Sequence, residues 1–157
     1  ERLVEVGPGT GRNLRLLRKR RPTAQLGGIE ASDEMLTHAR SKCPWARFEH
    51  GFAETCDYRA VFDGPVDRVL FSYCLSMVSD QSAALQNAVD ALAPGGEVVV
   101  VDFSDGAGLA SPLRRGLAHW LRTFHVEPLD DEVLRPHGAH LQHGPFRYYV
   151  IARFRAG

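Results

Sequence analysis

Near the start of the chain, Glu5-Val6-Gly7-Pro8-Gly9-Thr10-Gly11 leads from a short aliphatic segment through alternate glycines into residues of helical spacing. Glycine tolerates positive φ, and its missing Cβ lets a ligand approach the main chain. The free amides of a helix that opens just after such a turn point at whatever binds there. A second acid, Glu30, lies 19 residues beyond Gly11. That is about the distance at which a doubly wound α/β fold presents a carboxylate to ribose hydroxyls. The two features together imply a cofactor that carries a nucleoside. Dinucleotide enzymes use G-x-G-x-x-G, whose third glycine permits tight helix packing around a pyrophosphate. Arg12 stands at that position, and the spacing is E-x-G-x-G-x-G, which argues against a dinucleotide.

The elements that must hold these residues follow from periodicity. Short β-branched runs alternate with longer segments carrying apolar residues every three or four positions, the pattern of a parallel sheet covered by helices. Strands are predicted at 3–6, 25–30, 47–50, 66–72, 97–103 and 147–154, and helices at 12–20, 33–42, 82–92 and 112–124. Ser32 and Asp80 can cap helices, and Pro94-Gly95-Gly96 ends one and turns into the next strand. Residues 126–144, rich in Pro, Gly, Asp and His, read as a loop before the final strand, with a late hairpin favoured over another crossover.

Composition bounds the function. The 157 residues form one domain, 1–157, and the abrupt start at a strand points to a preceding helical segment. Nineteen Lys and Arg balance nineteen Asp and Glu, so no global charge recommends a nucleic-acid partner. The 44% apolar and 24% charged residues are those of an ordinary globular protein. The longest aliphatic run, Val98 to Val101, is far too short to span a bilayer. Cys43, Cys56 and Cys74 are odd in number and widely spaced, which fits a reducing cytoplasm better than a disulfide framework or a zinc site.

Three segments in this order, the Gly-rich turn, Glu30-Ala31-Ser32-Asp33-Glu34-Met35-Leu36 and Leu92-Ala93-Pro94-Gly95-Gly96, resemble class I S-adenosylmethionine-dependent methyltransferases. The resemblance implies a Rossmann-like α/β fold, with a mostly parallel central sheet, helices on both faces and a C-terminal antiparallel hairpin. It implies S-adenosyl-L-methionine as cofactor and no metal. The implied cofactor-binding set is Glu5, Gly7, Pro8, Gly9, Gly11, Glu30, Ala31, Met35, Phe52, Ala53, Glu54 and Ser72. Within it the three glycines line the methionine moiety, Glu5 orders the loop and Glu30 holds both ribose hydroxyls. One position departs from the family pattern: where the third strand usually ends Gly-Asp-Ala, this chain reads Gly51-Phe52-Ala53-Glu54. Phe52 cannot accept a hydrogen bond from the adenine amine, so either Glu54 takes that role or Phe52 packs on the ring.

After the fourth strand, Phe71-Ser72-Tyr73-Cys74-Leu75-Ser76-Met77 lacks the Asn/Asp-Pro-Pro-aromatic clamp of nucleic-acid amino-methyltransferases, which disfavours a nucleobase acceptor. The runs 67–78, 101–109 and 120–128 look like the N-methyltransferase of bacterial betaine-lipid synthesis. That resemblance implies trimethylation of the amino group of diacylglyceryl homoserine, with peripheral contact at the inner membrane surface and no obligatory protein partner. Methyl transfer from a sulfonium is an in-line displacement that asks mainly for alignment and desolvation. Tyr73, just past a strand's carboxyl end, is the candidate catalytic residue, able to accept a hydrogen bond from the amine or line the methyl path. A quaternary ammonium product favours an aromatic wall, for which Tyr73, Trp120, Phe124, Tyr148 and Tyr149 are candidates, although aromatics at these spacings more often belong to the core. Two other readings stay open: a soluble metabolite or quinone-like ring as acceptor, and a cofactor-binding module without activity.

The remaining features have plainer explanations. The basic residues Arg12, Arg15, Arg18, Lys19, Arg20 and Arg21 fit a solvated helix face better than an anionic-lipid site. The helix at 112–124 suits membrane docking and sheet packing equally. His137, His140 and His143 read as a polar loop rather than a metal site, and His125 as a helix-end contact rather than a proton acceptor.

Overall fold

The computed structural model of the chain describes residues 1–123 and 126–155, apart from the side chain of Arg122. The wall candidate Phe124 and the proton-acceptor candidate His125 therefore lie outside the described residues. Alternating elements build one seven-stranded sheet of order β3-β2-β1-β4-β5-β7-β6. Strands β1 (Arg2–Val6), β2 (Gln25–Glu30), β3 (Arg47–His50), β4 (Val66–Ser72) and β5 (Leu92–Phe103) run parallel. Strand β7 (Tyr149–Arg155) lies antiparallel to β5, and β6 (His140–His143) pairs antiparallel with β7 as the outer strand. The mostly parallel sheet and the C-terminal hairpin expected from the sequence are both present.

Because side chains alternate across a strand, the sheet has two cores. Leu3 and Leu26 face helices α1 (Arg12–Arg20) and α2 (Asp33–Lys42), where Leu14 and Cys43 complete a small cluster. Val4, Val6, Ile29, Val69, Phe71, Val98 and Val100 face the other way, into the larger core with α3 (Gln81–Asp90) and the short helical turn Tyr58–Val61. Ser32 caps α2 by accepting from the Met35 amide, and Asp80 caps α3 by accepting from that of Ala83. Strand β2 can lie between these layers because two of its residues have no side chain. A Cβ on Gly27 would collide with Val61 and lie 2.8 Å from the Arg47 carbonyl, and one on Gly28 would lie 2.8 Å from Pro8 Cγ.

The structure corrects several boundaries. The helix expected at 82–92 is Gln81–Asp90, and β5 starts at Leu92 rather than 97, because Leu92 already pairs with Val66. The register then shifts, so that Arg68 meets Glu97 and Pro94-Gly95-Gly96 bulges out of the ladder. The stretch 126–144, where the late hairpin is expected, supplies its outer strand β6, preceded by two short helical turns, α5 (Asp131–Leu134) and Arg135–His137. The final strand begins at Tyr149 rather than 147, since Phe146 and Arg147 take left-handed φ. His140 and His143, an odd number of residues apart in β6, point to opposite sheet faces. Helix α4 (Ser111–Thr123) buries Leu121 while Leu113 and Trp120 stay exposed. Among the described residues, no helix is long and apolar enough to cross a membrane.

Gly27→Ala is expected to cost about 1–3 kcal/mol through overpacking against Val61 and the Arg47 carbonyl. Gly95→Ala, where φ is +76° and no atom lies within 4 Å, should cost only about 1 kcal/mol. Chemical denaturation of both variants checks the order.

Candidate functional site

The strand order reverses between β1 and β4, and ligands of open α/β sheets bind at the carboxyl ends of strands beside such a switch point. The Gly-rich turn leaves β1 there. Gly7, Gly9 and Gly11 have φ of 62°, 53° and 74°, values a residue with a Cβ avoids. The Gly7 amide donates to Ile29 O at 2.9 Å and that of Gly11 to Pro8 O at 2.8 Å. Gly7 and Gly11 are also sterically closed, with Cys74 and Cys43 where their Cβ atoms would sit, whereas Gly9 has open space in front of it. Pro8 is buried, seated where Gly28 has no side chain.

Glu30 ends β2 beneath this turn and is 9% exposed. Its Oε2 accepts from the Gly9 amide and its Oε1 from that of Ser32, both at 3.0 Å. Glu5, on β1, is 1% exposed. Its Oε1 accepts from Asn13 Nδ2 at 2.7 Å, and the same amide group donates to Ser72 Oγ at 3.1 Å. The other Glu5 oxygen is buried without a partner. Burial, reinforced by the charge of Glu30 and opposed by the Asn13 hydrogen bond, pushes the Glu5 carboxyl up to about 7. Asn13 was not singled out in the sequence; its only signal there is an amide in the first turn of the helix that follows the glycines.

Beside the turn lies a cleft of about 230 Å³, lined by Val6, Gly7, Ile29, Glu30, Ala31, Gly51, Phe52, Ala53, Glu54, Cys74, Met77, Val78 and Ser79. Of the sequence-derived set it brings together Gly7, Glu30, Ala31, Phe52, Ala53 and Glu54. Both candidates for the adenine end are present: Phe52 is 66% exposed at the rim, and Glu54 accepts from the Asp80 amide at 3.3 Å. The Ala53 carbonyl is held by Tyr58 Oη and Asn87 Nδ2, each at 3.0 Å, which fixes this side of the cleft. Gly9, Gly11 and Pro8 shape the turn instead of lining the cleft, and Ser72 serves the Glu5–Asn13 network. Met35, in the first turn of α2, is not among the residues lining the cleft, and its amide is bonded to Ser32. The segment after β4 also supplies Cys74, Met77, Val78 and Ser79, although in the sequence it speaks only to the acceptor. Ser76 within it donates its amide to Asp102 Oδ2 at 3.0 Å.

Tyr73 stands just past β4 with φ 54°, its amide bonded to Val101 O at 2.8 Å. Its ring meets Phe103 at 4.9 Å between centroids, and Phe103 meets Tyr148 edge-on at 5.6 Å. Burial, with the nearby groups Tyr148, Asp102 and Tyr149, raises the Tyr73 phenol above its ordinary value, so at neutral pH it carries its proton. Among the described residues no group of three His, Cys, Asp or Glu is placed to hold a metal ion.

A glycine turn at the sheet's switch point, backed by a carboxylate at the end of the next strand, defines a nucleoside-cofactor domain. Residues 3–96 match the family model of the methyltransferase domain. The chain is 34% identical over 116 residues to the demethylmenaquinone methyltransferase of Tropheryma whipplei, which covers 73% of this chain and 47% of that protein. It is 30% identical to S-adenosylmethionine-bound CalS10, an amino pentose methyltransferase from Micromonospora echinaspora, over 63% of this chain and 41% of that one, with a TM-score of 0.56. The methyltransferase chain of a Haloferax volcanii complex with the Trm112 activator superposes with a TM-score of 0.76 at 17% identity, covering 99% of this chain and 82% of that one. At that identity the likeness is one of fold. The chain belongs to the S-adenosylmethionine-dependent methyltransferase family. It spans less than half the length of the curated relatives it matches.

Glu5 is neutral below about pH 4.5 in both folded and unfolded chains and costs nothing there. Between 4.5 and about 7 the unfolded chain ionises first, so stability falls, by roughly 3 kcal/mol once both states are charged. Glu5→Gln keeps an acceptor for Asn13 and removes the charge. It is expected to raise the melting temperature of the cofactor-free protein at pH 8 and leave it unchanged at pH 4.

Proposed function

We propose that the domain methylates an amino nitrogen, and that the amine belongs to a lipid head group of the diacylglyceryl homoserine type. The observation that carries the amine is the aromatic face of Tyr73, Phe103 and Tyr148 at the carboxyl ends of β4 and β5. Such a face attracts the ammonium that accumulates as methyl groups are added. The lipid rests on the likeness of segments 67–78, 101–109 and 120–128 to betaine-lipid synthesis. The exposed Phe52 and Met77 at the cleft rim, and Leu113 and Trp120 on α4, suit an apolar acceptor and peripheral membrane contact.

The residues present fit the cofactor. The open space before Gly9 admits a ligand to the backbone, and the unpartnered Glu5 oxygen awaits a donor. Gly7 and the open backbone at Gly9 would hold the amino-acid end, with Glu5 and Gly11 ordering the turn, Glu30 the ribose, and Phe52, Ala53 and Glu54 the adenine. Glu30 already receives two amides, yet each carboxylate oxygen keeps a lone pair for a hydroxyl. When bound, S-adenosylmethionine supplies a methyl group whose carbon–sulfur bond breaks as the carbon–nitrogen bond forms, leaving a neutral thioether; in the first two transfers the nitrogen then gives up a proton to water, and in the third, with no proton left, it keeps the positive charge. The protonated Tyr73 phenol orients the amine through its oxygen and lines the methyl path as the residue in contact with the reacting atoms. It is no strong base, and none is required. An α-amino group titrates near ~8 in model peptides and so has a usable neutral fraction at pH 7.

A second reading, a soluble or quinone-like acceptor, is favoured by the relatives, which are named for a demethylmenaquinone and an amino pentose. Labelled methyl donor, the full-length protein and a lipid extract offered beside water-soluble amines separate the two. Label in the lipid phase is expected; label confined to the aqueous pool would remove the lipid assignment. On the cofactor side, Glu30→Ala is expected to weaken S-adenosylmethionine binding by about tenfold or more, because two backbone amides lose their acceptor. Glu54→Ala should weaken it by no more than about threefold. Calorimetric titration giving the reverse order would overturn the assignment of Glu30.

A further inference from the structure

The turn between β6 and β7 contains two consecutive non-glycine residues, Phe146 and Arg147, at φ 55° and 54°. Such conformations persist where the surroundings over-determine them, and they cluster at functional sites. Here the surroundings act from two directions. Arg147 Nε donates to Asp105 Oδ1 at 2.8 Å and Nη2 donates to Asp131 Oδ2 at 3.0 Å, while the other Asp131 oxygen lies 3.1 Å from His143 Nε2. The main chain is bound as well: the carbonyls of Phe146, Arg147 and Tyr148 accept the amides of Gly108, Gly106 and Ser104 at 3.2, 2.9 and 3.0 Å. The approach is so close that a Cβ on Gly108 would lie 2.7 Å from Phe146 Cα. An isolated surface ion pair is worth little, but one guanidinium shared by two carboxylates fixes a geometry.

What that geometry fixes is Tyr148, the next residue. Its ring stands edge-on to Phe103, which in turn meets Tyr73. Tyr73 and Tyr148 remain 40% and 38% exposed, so their rings can still receive a ligand. We propose that Arg147, gripped by Asp105 and Asp131, is a positioning residue that holds Tyr148 in line with Phe103 and Tyr73, making the three rings a rigid seat for a methylated ammonium group. The proposal rests on the amine reading above and names the residue that makes its aromatic face. A quaternary ammonium has no N–H to donate, so its affinity depends on where the rings stand. Lysine cannot replace the clamp fully, because a point charge does not span two carboxylates as a planar fork does.

Tetramethylammonium chloride is the probe, titrated into the full-length protein with ring-labelled tyrosines and followed by NMR, with tert-butanol as the uncharged control. The wild type is expected to show saturable shifts at Tyr73 and Tyr148 with the cation and none with the alcohol. Arg147→Gln should weaken cation binding by about fivefold or more, with Arg147→Lys intermediate. The affinity for S-adenosylmethionine should stay within about twofold, as expected of a site without shared contacts. Should Arg147→Gln fail to fold, Asp105→Ala, which removes one prong of the clamp at the surface, carries the same expectation. Wild-type-like cation binding in the variant, equal loss of cation and cofactor affinity, or no shifts in the wild type would each overturn the clamp. If no amine accepts label in the methylation assay while the cation still binds in an Arg147-dependent way, the functional reading fails and the clamp stands.

Discussion

One carboxylate joins the parts of this domain that must not move relative to each other. Glu30 receives the amide of Gly9 on one oxygen and that of Ser32 on the other. It thereby ties the turn after β1 to the cap of α2. Charge-assisted hydrogen bonds of this kind are roughly twice as strong as neutral ones. They also compensate the burial of an acid that is only 9% exposed. The turn itself is left-handed at alternate residues, so without an external anchor it would have many ways to relax.

A second buried acid extends the linkage across the switch point. Asn13 spends its amide on Glu5 and on Ser72, so the first turn of α1 is bound both to β1 and to the end of β4. Tyr73 follows directly. The glycine turn and the end of β4, the proposed cofactor and acceptor sides, therefore share one hydrogen-bonded group. This arrangement carries an electrostatic cost, since Glu5 keeps an unpartnered oxygen and resists ionisation up to about pH 7. Partly satisfied polar networks of this sort are expensive in a stable core and common at functional sites.

The proposed acceptor end is built differently. Its aromatic rings come from three separate elements, the end of β4, the end of β5 and the β6–β7 turn. They meet because β7 inserts antiparallel beside β5, with Phe103 opposite Tyr149. Parallel strands need long crossovers, whereas this hairpin returns within a few residues. It brings a short turn back onto the segment that follows β5.

How much of this was legible beforehand depends on the range of the interactions. Local periodicity located β2, β3, β4, α1 and α2 at their observed bounds, because amphipathic spacing and caps such as Ser32 act within one element. The glycine spacing and Glu30 marked the proposed cofactor side by their positions: positive φ is a local demand, whereas the bond from Glu30 to the Gly9 amide, 21 residues away, is made by the fold. The early start of β5 at Leu92 depended on its partner Val66, and the β6 strand within a Pro-, Gly- and His-rich stretch depended on β7. Asn13 became meaningful only when β1 and β4 placed Glu5 and Ser72 on either side of it. The Arg147 clamp likewise required Asp105 and Asp131, 42 and 16 residues away, to converge. Residue type and spacing determined the class of cofactor by themselves, since backbone conformation is a local property. The shape of the aromatic face proposed for the acceptor was decided by tertiary packing, since it is made from contacts between residues that no local rule relates.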